Sequence, residues 1–268
     1  MALKDITLGQ YFPGNSFIHQ LDPRTKLLFT VLYIVGLFSA KRLPSYLLLM
    51  AVLAVCIQIS RVRLKTILRG MKPILFIIVL TAILNLFYTP GDPIWQWKFL
   101  KITVEGIWAA IYMLLRISML ITCTFLLTYT TSPILLTDGL EKLLGPLKKL
   151  RVPVHELSMM MSIALRFIPT LIEETDKIMS AQKARGADFD TGNLFQKARA
   201  LVPLLVPLFI SAFRRADELA IAMECRCYHG GEGRTRLRQL IFVRRDYLAL
   251  AGSIFMVAAV YVLRYLGW

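Results

Sequence analysis

The chain has few of the residues from which catalytic, metal and disulfide sites are built. Of its 268 residues, 4 are cysteine and 3 are histidine, and its 17 acidic residues are outnumbered by 32 lysines and arginines. Two of the cysteines, Cys56 and Cys123, lie in apolar runs, so no disulfide framework is expected. The sequence also contains no G-x-x-x-x-G-K-[ST] segment, which excludes the common loop by which a chain holds ATP.

Two short motifs that would suggest a metal site are incomplete. Cys225-x-Cys227-x-His229 has no fourth ligand nearby, and a structural zinc site needs four. His155-Glu156 lacks the second histidine of a zinc-protease helix. We therefore expect this chain to have no catalytic residue, no metal and no cofactor of its own.

Apolar residues, by contrast, are abundant. They make up 56% of the chain, and the mean hydropathy is +0.59. Because a helix needs about 20 apolar residues to cross a ~30 Å hydrocarbon core, the sequence predicts an all-α integral membrane protein with about five transmembrane helices. The apolar runs fall at about 26–39, 44–59, 73–88, 103–130 and 246–266. Residues 89–102, with Trp95 and Trp97, are predicted to form a turn with an interfacial aromatic anchor.

The net charge of +15 has two interpretations. In a soluble chain it would suggest nucleic acid, but no nucleic-acid-binding module is recognisable. In membrane proteins, lysine and arginine accumulate in cytoplasmic segments and face anionic lipid. We therefore expect the lipid bilayer and no nucleic acid as a partner, with the N-terminus inside and the C-terminus outside.

Residues 133–245 differ from the apolar runs. They hold 18 of the 32 basic and 12 of the 17 acidic residues, mixed with apolar residues at helical spacing. This pattern predicts a cytoplasmic domain of about three long amphipathic helices, at about 133–150, 154–184 and 198–225, with a soft link at 188–193. The expected domains are thus a transmembrane domain of about four spans at 1–132, the cytoplasmic domain at 133–245 and a C-terminal transmembrane helix at 246–268.

Two of these helices end in similar segments. Ala184-Arg185-Gly186 ends the first, and 41 residues later Cys225-Arg226-Cys227 ends the second. An arginine near a helix end commonly neutralises the last carbonyls, and glycine commonly caps the helix. The repetition favours docking, because a guanidinium exposed at a helix end can bind a carboxylate through two hydrogen bonds. Two equivalent arginines suit a partner that is itself a pair.

The helix at 154–184 also carries a broad apolar face, with Met159, Ile163, Phe167 and Leu171 among its members. Part of this face is expected to pack against neighbouring helices. A wide, methionine-rich face also suits contact with a protein or a membrane.

Arg116 lies midway along the run at 103–130. A central arginine costs about 2.5–3.5 kcal/mol on insertion scales, so it should face protein or an aqueous crevice. We expect a carbonyl or an acid on another helix as its partner, and a role in a transport path is the alternative.

Several segments together resemble a known family. They are 16–26 (SFIHQLDPRTK), Arg116 with 130–133 (TTSP), 164–169 (ALRFIP) followed by 181–186 (AQKARG), and 224–228 (ECRCY). Over essentially its whole length the chain resembles the EcfT family, the transmembrane T component of energy-coupling-factor (ECF) transporters, which are ABC-type importers. It departs from the family pattern at the second tip, where Cys225 and Cys227 replace alanine and glycine.

The resemblance implies a mechanism. In that family the T component links two cytoplasmic ABC-type ATPase subunits to a small membrane protein, the S component, which captures a vitamin or a metal ion at a prokaryotic cell membrane. The resemblance places Arg185 and Arg226 in grooves of the two ATPases, and the ATPases bind ATP and Mg²⁺. It also places the S component on the apolar face of the coupling helices, at 154–184 and 198–220.

Two other function classes remain open at this point. A conventional ABC permease or secondary carrier would line its own substrate path, but one intramembrane arginine and the lack of a repeat of spans count against it. A membrane enzyme would need acids, histidines or metal ligands at one membrane depth, and Glu105 is nearly the only candidate.

Overall fold

The computed structural model describes residues 11–90, 93–97, 100–187, 189, 193–230 and 239–266. Within these residues the chain is helical apart from one short β-hairpin, which confirms the all-α class. The first elements are α1 (Pro23–Ser39), α2 (Leu43–Ser60), α3 (Leu64–Met71), α4 (Leu75–Tyr88), β1 (Pro93–Trp97), β2 (Leu100–Thr103), α5 (Val104–Thr130) and α6 (Pro133–Leu144). They are followed by a 3₁₀ helix (Gly145–Leu150), α7 (Val154–Ala184), α8 (Leu194–Glu224) and α9 (Arg244–Tyr265).

The chain divides into two compact units. Among the described residues, the bundle unit comprises those of Gly9–Leu143 and Leu240–Trp268, and the two-helix unit comprises those of Leu144–Gln239. The division between membrane and cytoplasm expected at 132/133 and 245/246 stays a prediction.

The core of the bundle unit lies between α1, α2, α5 and α9. Its most buried side chains include Tyr33 and Leu37 of α1, Leu49 of α2, Cys123 of α5 and Val260 of α9. The Tyr33 hydroxyl donates a hydrogen bond to the carbonyl of Leu49 (3.3 Å). This bond satisfies a phenol that would otherwise be unpaired in an apolar interior.

The number of helices that could cross a membrane is smaller than the sequence suggested. In the part of the chain that the structure describes, α2, α5 and α9 are each long and apolar enough, and α3 with α4 forms a fourth candidate bent by 65°. α1 has 17 residues, ends where Ala40 becomes extended, and is at the lower limit of the length of a membrane-spanning helix. By length and composition the described residues therefore give three or four candidate spans, and a fifth span at α1 stays a prediction.

Two carboxylates join the N-termini of α1 and α9. Asp22 is the N-cap of α1, and its Oδ1 accepts a hydrogen bond from the backbone N–H of Arg24 (2.9 Å), with Pro23 at the first helical position. Asp246, in the first turn of α9, accepts from the backbone N–H of Val243 (2.9 Å) and from that of Asp22 (2.8 Å). One buried acid thus caps its own helix and holds the start of the other.

The helices of 133–245 follow the sequence pattern closely, with two differences. The first helix ends at Leu144 and continues as a 3₁₀ helix, because Pro146 has no N–H with which to extend the α-helical bonding. The third begins at Leu194 rather than at about 198, and it contains Pro203 and Pro207. The second spans Val154–Ala184, as the pattern predicted. Most of the soft link expected at 188–193 lies outside the described residues.

The segment expected to be a turn at 89–102 contains a hairpin. Strands β1 and β2 pair antiparallel, with Trp97 opposite Leu100, and an irregularity interrupts the register between Pro93 and Trp95. The hairpin leads into α5, whose N-cap Thr103 accepts a hydrogen bond from the N–H of Gly106 (3.0 Å). The alternation of Trp95 and Trp97 with other residues is the strand signal that the turn interpretation missed.

Candidate functional site

The first tip is the C-terminus of α7, where Arg185 is the C-cap. The N–H of Gly186 donates to the carbonyl of Lys183 (3.0 Å), and the N–H of Ala187 donates to the carbonyl of Gln182 (3.0 Å). These two bonds form a Schellman motif, which satisfies carbonyls that the helix end leaves free. Gly186 has φ +87° and open space where a Cβ would be, so its glycine is required for backbone conformation and not for packing.

The second tip, at the C-terminus of α8, has the same hydrogen-bond pattern 41 residues later. The N–H of Cys227 donates to the carbonyl of Glu224 (2.9 Å), and the N–H of Tyr228 donates to the carbonyl of Met223 (3.1 Å). Arg226 therefore holds the C-cap position that Arg185 holds on α7. The two tips are copies in backbone geometry as well as in sequence.

Cys227 takes the left-handed conformation that glycine takes at the first tip. Its φ is +54°, a region that costs a residue with a Cβ roughly 1–2 kcal/mol. The replacement of glycine therefore strains the cap without changing its form. Cys225 and Cys227 are both exposed free thiols on either side of Arg226.

Both tip arginines are exposed at the ends of rigid helices. A guanidinium in this position offers up to five N–H donors in a planar fork, which matches a carboxylate geometrically. Its positive charge also complements the partial negative charge of a helix C-terminus. Each tip therefore presents a cation on a backbone that is already capped.

An ion pair that sequence reasoning missed links α7 to α8. Glu174 accepts a hydrogen bond from Arg215 (Nη2 to Oε2, 3.0 Å) and another from the hydroxyl of Ser211. Glu174 and Arg215 are separated by 41 residues, the same shift that relates the two tips. Opposite charges at positions related by the repeat were the signal that could have revealed this contact.

The apolar residues expected to form the S-component surface are only partly exposed to solvent. Met159, Ile163, Phe167 and Leu171 are all half-buried. The wider exposed apolar surface in the two-helix unit belongs to α8, within the range 198–220 that the resemblance also indicated. Its members are Leu201, Val202, Leu205, Val206, Phe209, Ile210 and Phe213. Met160 and Met161 are the exposed methionines of α7.

Arg116 lies on α5 within the bundle unit and contacts α2 and the end of α1. Its Nη2 donates to the hydroxyl of Tyr46 (2.6 Å) and to the carbonyl of Ala40 (3.4 Å). Its guanidinium carbon also lies 5.7 Å from the centroid of Phe38. These contacts give the arginine interhelical partners.

The N-terminal segment that carries part of the family resemblance is tied to the bundle. The buried ammonium of Lys26 donates to the carbonyls of His19 (3.1 Å) and Thr130 (2.9 Å). His19 also contacts the Ser16 hydroxyl (Nδ1, 2.6 Å) and the Phe12 carbonyl (Nε2, 3.1 Å). Burial lowers the pKa of His19 below its usual value, which favours the neutral ring.

Among the described residues, no three histidine, cysteine or acidic side chains lie close enough together to hold a metal ion.

Comparison with known proteins identifies the family. A family model described as CbiQ, cobalt transport protein, matches residues 14–237. The chain is 53% identical over 263 residues to the energy-coupling factor transporter transmembrane protein EcfT of Ruminiclostridium cellulolyticum, covering 98% of each chain. It is 57% identical over 249 residues to the protein of the same name from Clostridium kluyveri, covering 92% of each, and 48% identical over 263 residues to that from Bacillus subtilis, covering 98% of this chain and 99% of that one.

These matches cover nearly the whole chain, and the apolar helices of the bundle unit agree with the word transmembrane in the relatives' names. The chain is therefore a multi-pass membrane protein that takes part in transport. The chain belongs to the EcfT family, the transmembrane T components of ECF transporters.

Proposed function

We propose that this chain is the scaffold and coupling subunit of an importer for a vitamin or another micronutrient. It would join two cytoplasmic ABC-type ATPase subunits to a small substrate-capturing S component in the membrane. The observation that carries the proposal is the pair of exposed arginines, Arg185 and Arg226, at the same C-cap position of two identically capped helices.

The tips would dock the ATPases. Each capped helix end holds its arginine on a fixed backbone, so little conformational freedom is lost when the guanidinium binds a carboxylate on a partner. One tip per ATPase explains why the docking element occurs twice. Ala184, Gly186, Cys225 and Cys227 would form the backbone and side-chain surroundings of the two arginines.

The S component would rest on exposed apolar residues of the two-helix unit. Phe209 and Phe213 of α8 are 61% and 69% exposed, and large apolar residues next to them are exposed as well. An apolar surface of this kind favours a protein or membrane partner. The half-buried Met159, Ile163, Phe167 and Leu171 would support this surface from α7.

The chain would contribute no catalytic group. ATP and Mg²⁺ would be bound by the ATPases, and this chain would transmit their motion to the S component. In this arrangement residues 133–245 face the cytoplasm, as the charge asymmetry predicts.

The proposal is tested by affinity purification of the tagged chain from its native membrane in mild detergent. We expect two ATPase subunits and a small membrane protein to be isolated with the wild-type chain. With Arg185→Glu and Arg226→Glu combined, the chain should still insert but lose the ATPases. Isolation of the doubly reversed chain with its full complement of ATPases would contradict the docking role.

A further inference from the structure

A cleft of about 500 Å³ lies between α1, α2, α5 and α9 of the bundle unit. It is at the end of the bundle where α1 and α9 begin and α2 and α5 end. Its walls are mostly apolar, with Phe29, Val55, Leu127 and Leu248 among the side chains that form them. The volume is within the range of about 300–1,000 Å³ that is typical of ligand pockets. No residue of the two helix tips contributes to it.

Polar groups of α1 interrupt the apolar wall, and those of Thr25 and Lys26 have capacity for a further hydrogen bond. The Thr25 side chain is fully buried, and its hydroxyl has no hydrogen-bond partner. The Lys26 ammonium, with the residue 6% exposed, uses two of its three N–H donors on the carbonyls of His19 and Thr130. The wall therefore combines a long apolar surface with a buried hydroxyl and a cation that can serve one more acceptor.

Three arginines lie at the same end of the bundle as the cleft, and one of them contacts its wall. Phe17 forms part of the wall, and the guanidinium carbon of Arg245 lies 5.9 Å from the centroid of its ring. Arg245 is exposed and donates a hydrogen bond to the Gln20 side chain, which leaves most of its five donors available. Arg61 at the end of α2 and Arg244 at the start of α9 are exposed at this same end of the bundle.

We propose that this cleft binds one anionic phospholipid from the surrounding bilayer. An acyl chain would occupy the apolar cleft, and the phosphate would lie at Arg245. Arg245, next to Phe17 of the wall, would select the anionic lipid, because basic pockets between transmembrane helices attract acidic headgroups. Lys26 and Thr25 would face oxygen atoms at the headgroup end of the lipid.

The adjacent residues Gly252 and Ala251 of α9 provide a matched test of acyl-chain binding in the apolar cleft. Gly252 belongs to the wall of the cleft, and a Cβ added there would meet nothing within 4 Å. Gly252→Leu therefore places its Cβ in open space and adds apolar bulk at the wall of the cleft. Ala251 is exposed on the same helix and does not belong to the wall, so Ala251→Leu adds similar apolar bulk elsewhere.

Two arginines of α9 provide a matched test of headgroup binding. Arg245 lies in the first turn of α9, and Arg264 is exposed in its last turn, at the other end of the bundle. Arg245→Gln removes the charge at the mouth, and Arg264→Gln removes a charge remote from the cleft.

The affinity for lipid can be measured by native mass spectrometry of the full chain in detergent, titrated with palmitoyl-oleoyl-phosphatidylglycerol or the matching phosphatidylcholine. We expect one phosphatidylglycerol to bind at least about tenfold more tightly than phosphatidylcholine. Gly252→Leu should weaken it about tenfold and Ala251→Leu less than twofold. Arg245→Gln should reduce the preference for phosphatidylglycerol at least threefold, and Arg264→Gln should not.

Equal binding of the two lipids, equal effects of the two leucine variants, or equal effects of the two glutamine variants would overturn the proposal. A second measurement uses the wild-type chain, so that a folding defect of a variant cannot affect it. Phosphatidylglycerol with a photoactivatable group in its acyl chain should label 52–59 and 248–253 in preference to α4. Labelling spread evenly over the apolar helices would show annular lipid and would also overturn the proposal.

Discussion

Glu174 of α7 and Arg215 of α8 meet at 3.0 Å, and each lies 11 residues before the arginine that ends its helix. The ion pair therefore joins the two helices at equivalent points, about 16 Å from either tip at 1.5 Å per residue. Ser211 donates to the other oxygen of the same carboxylate. In the proposed coupling subunit, the segments from this contact to the two tips would be of equal length, and the ion pair would hold α7 and α8 together at their start.

Charge reversal at this contact should weaken the link between α7 and α8 and so the coupling of transport to ATP hydrolysis. Glu174→Arg would place two guanidinium groups together, and we expect it to reduce substrate uptake per ATP hydrolysed while the ATPases stay bound. The pair is partly exposed, so its loss should cost about 1 kcal/mol or less of stability. Measurement of uptake and ATP hydrolysis in proteoliposomes checks this, with Glu173→Arg, at an exposed neighbouring position, as the control.

The exchange of both charges, Glu174→Arg with Arg215→Glu, should restore most of the coupling because it restores the attraction. If the double variant is no better coupled than Glu174→Arg alone, the contact does not act through the ion pair.

The cap of the first tip should depend on the backbone conformation of Gly186. Gly186→Ala meets no atom but must adopt φ near +87°, so we expect the end of α7 to lose about 1 kcal/mol of local stability. Faster hydrogen exchange at the amides of Gly186 and Ala187 would report this loss. Gly145→Ala, where there is also open space but no left-handed φ, is the control and should leave the exchange at the tip unchanged.

Fixing the two tips together should block transport without preventing assembly. A thiol cross-linker of matched length would be used to join a cysteine introduced by Ala184→Cys to Cys225, which is its equivalent in the repeat, in a chain that also carries Cys227→Ser. If the tips move relative to each other when the ATPases close, the cross-linked complex should assemble and fail to import. Uptake at the normal rate in the cross-linked complex would mean that the tips move as one body.

The buried acid of α9 should be a major determinant of the bundle unit's stability. Asp246→Ala removes the acceptor of the buried Asp22 amide, and an unsatisfied buried donor costs about 1–3 kcal/mol. We expect a lower melting temperature in detergent, with a smaller decrease for Asp246→Asn, which keeps an oxygen acceptor. The exposed Asp217 gives a control, since Asp217→Ala should change the melting temperature very little.

The sequence contained most of the information on the helices of the two-helix unit. Helical spacing of apolar residues predicted Val154–Ala184 to the residue, because Pro153 and Gly186 delimit it. Local signals of this kind did not predict Asp22 meeting Asp246, which are 224 residues apart.

At the candidate site, too, local sequence signals predicted some features and not others. The repeat located both arginines, and the left-handed Cys227 shows that a cap can persist after glycine is lost. The choice of Met159, Ile163, Phe167 and Leu171 as a partner surface rested on helical periodicity and on the family resemblance, and it stays a prediction. Periodicity identifies an apolar face but does not say which part of that face a neighbouring helix covers.

Each tip arginine would hold one ATPase, and the affinity of purified ATPase for the nanodisc-embedded chain measures that contact. A lost charge-assisted hydrogen bond is worth about 1.5–3 kcal/mol, so Arg185→Glu and Arg226→Glu should each raise the Kd at least about tenfold. The double variant should show no measurable binding. Lys177→Glu and Arg214→Glu, at exposed positions on the same two helices, should change the Kd less than twofold. Equal effects of the tip variants and these controls would contradict the docking role of the two arginines.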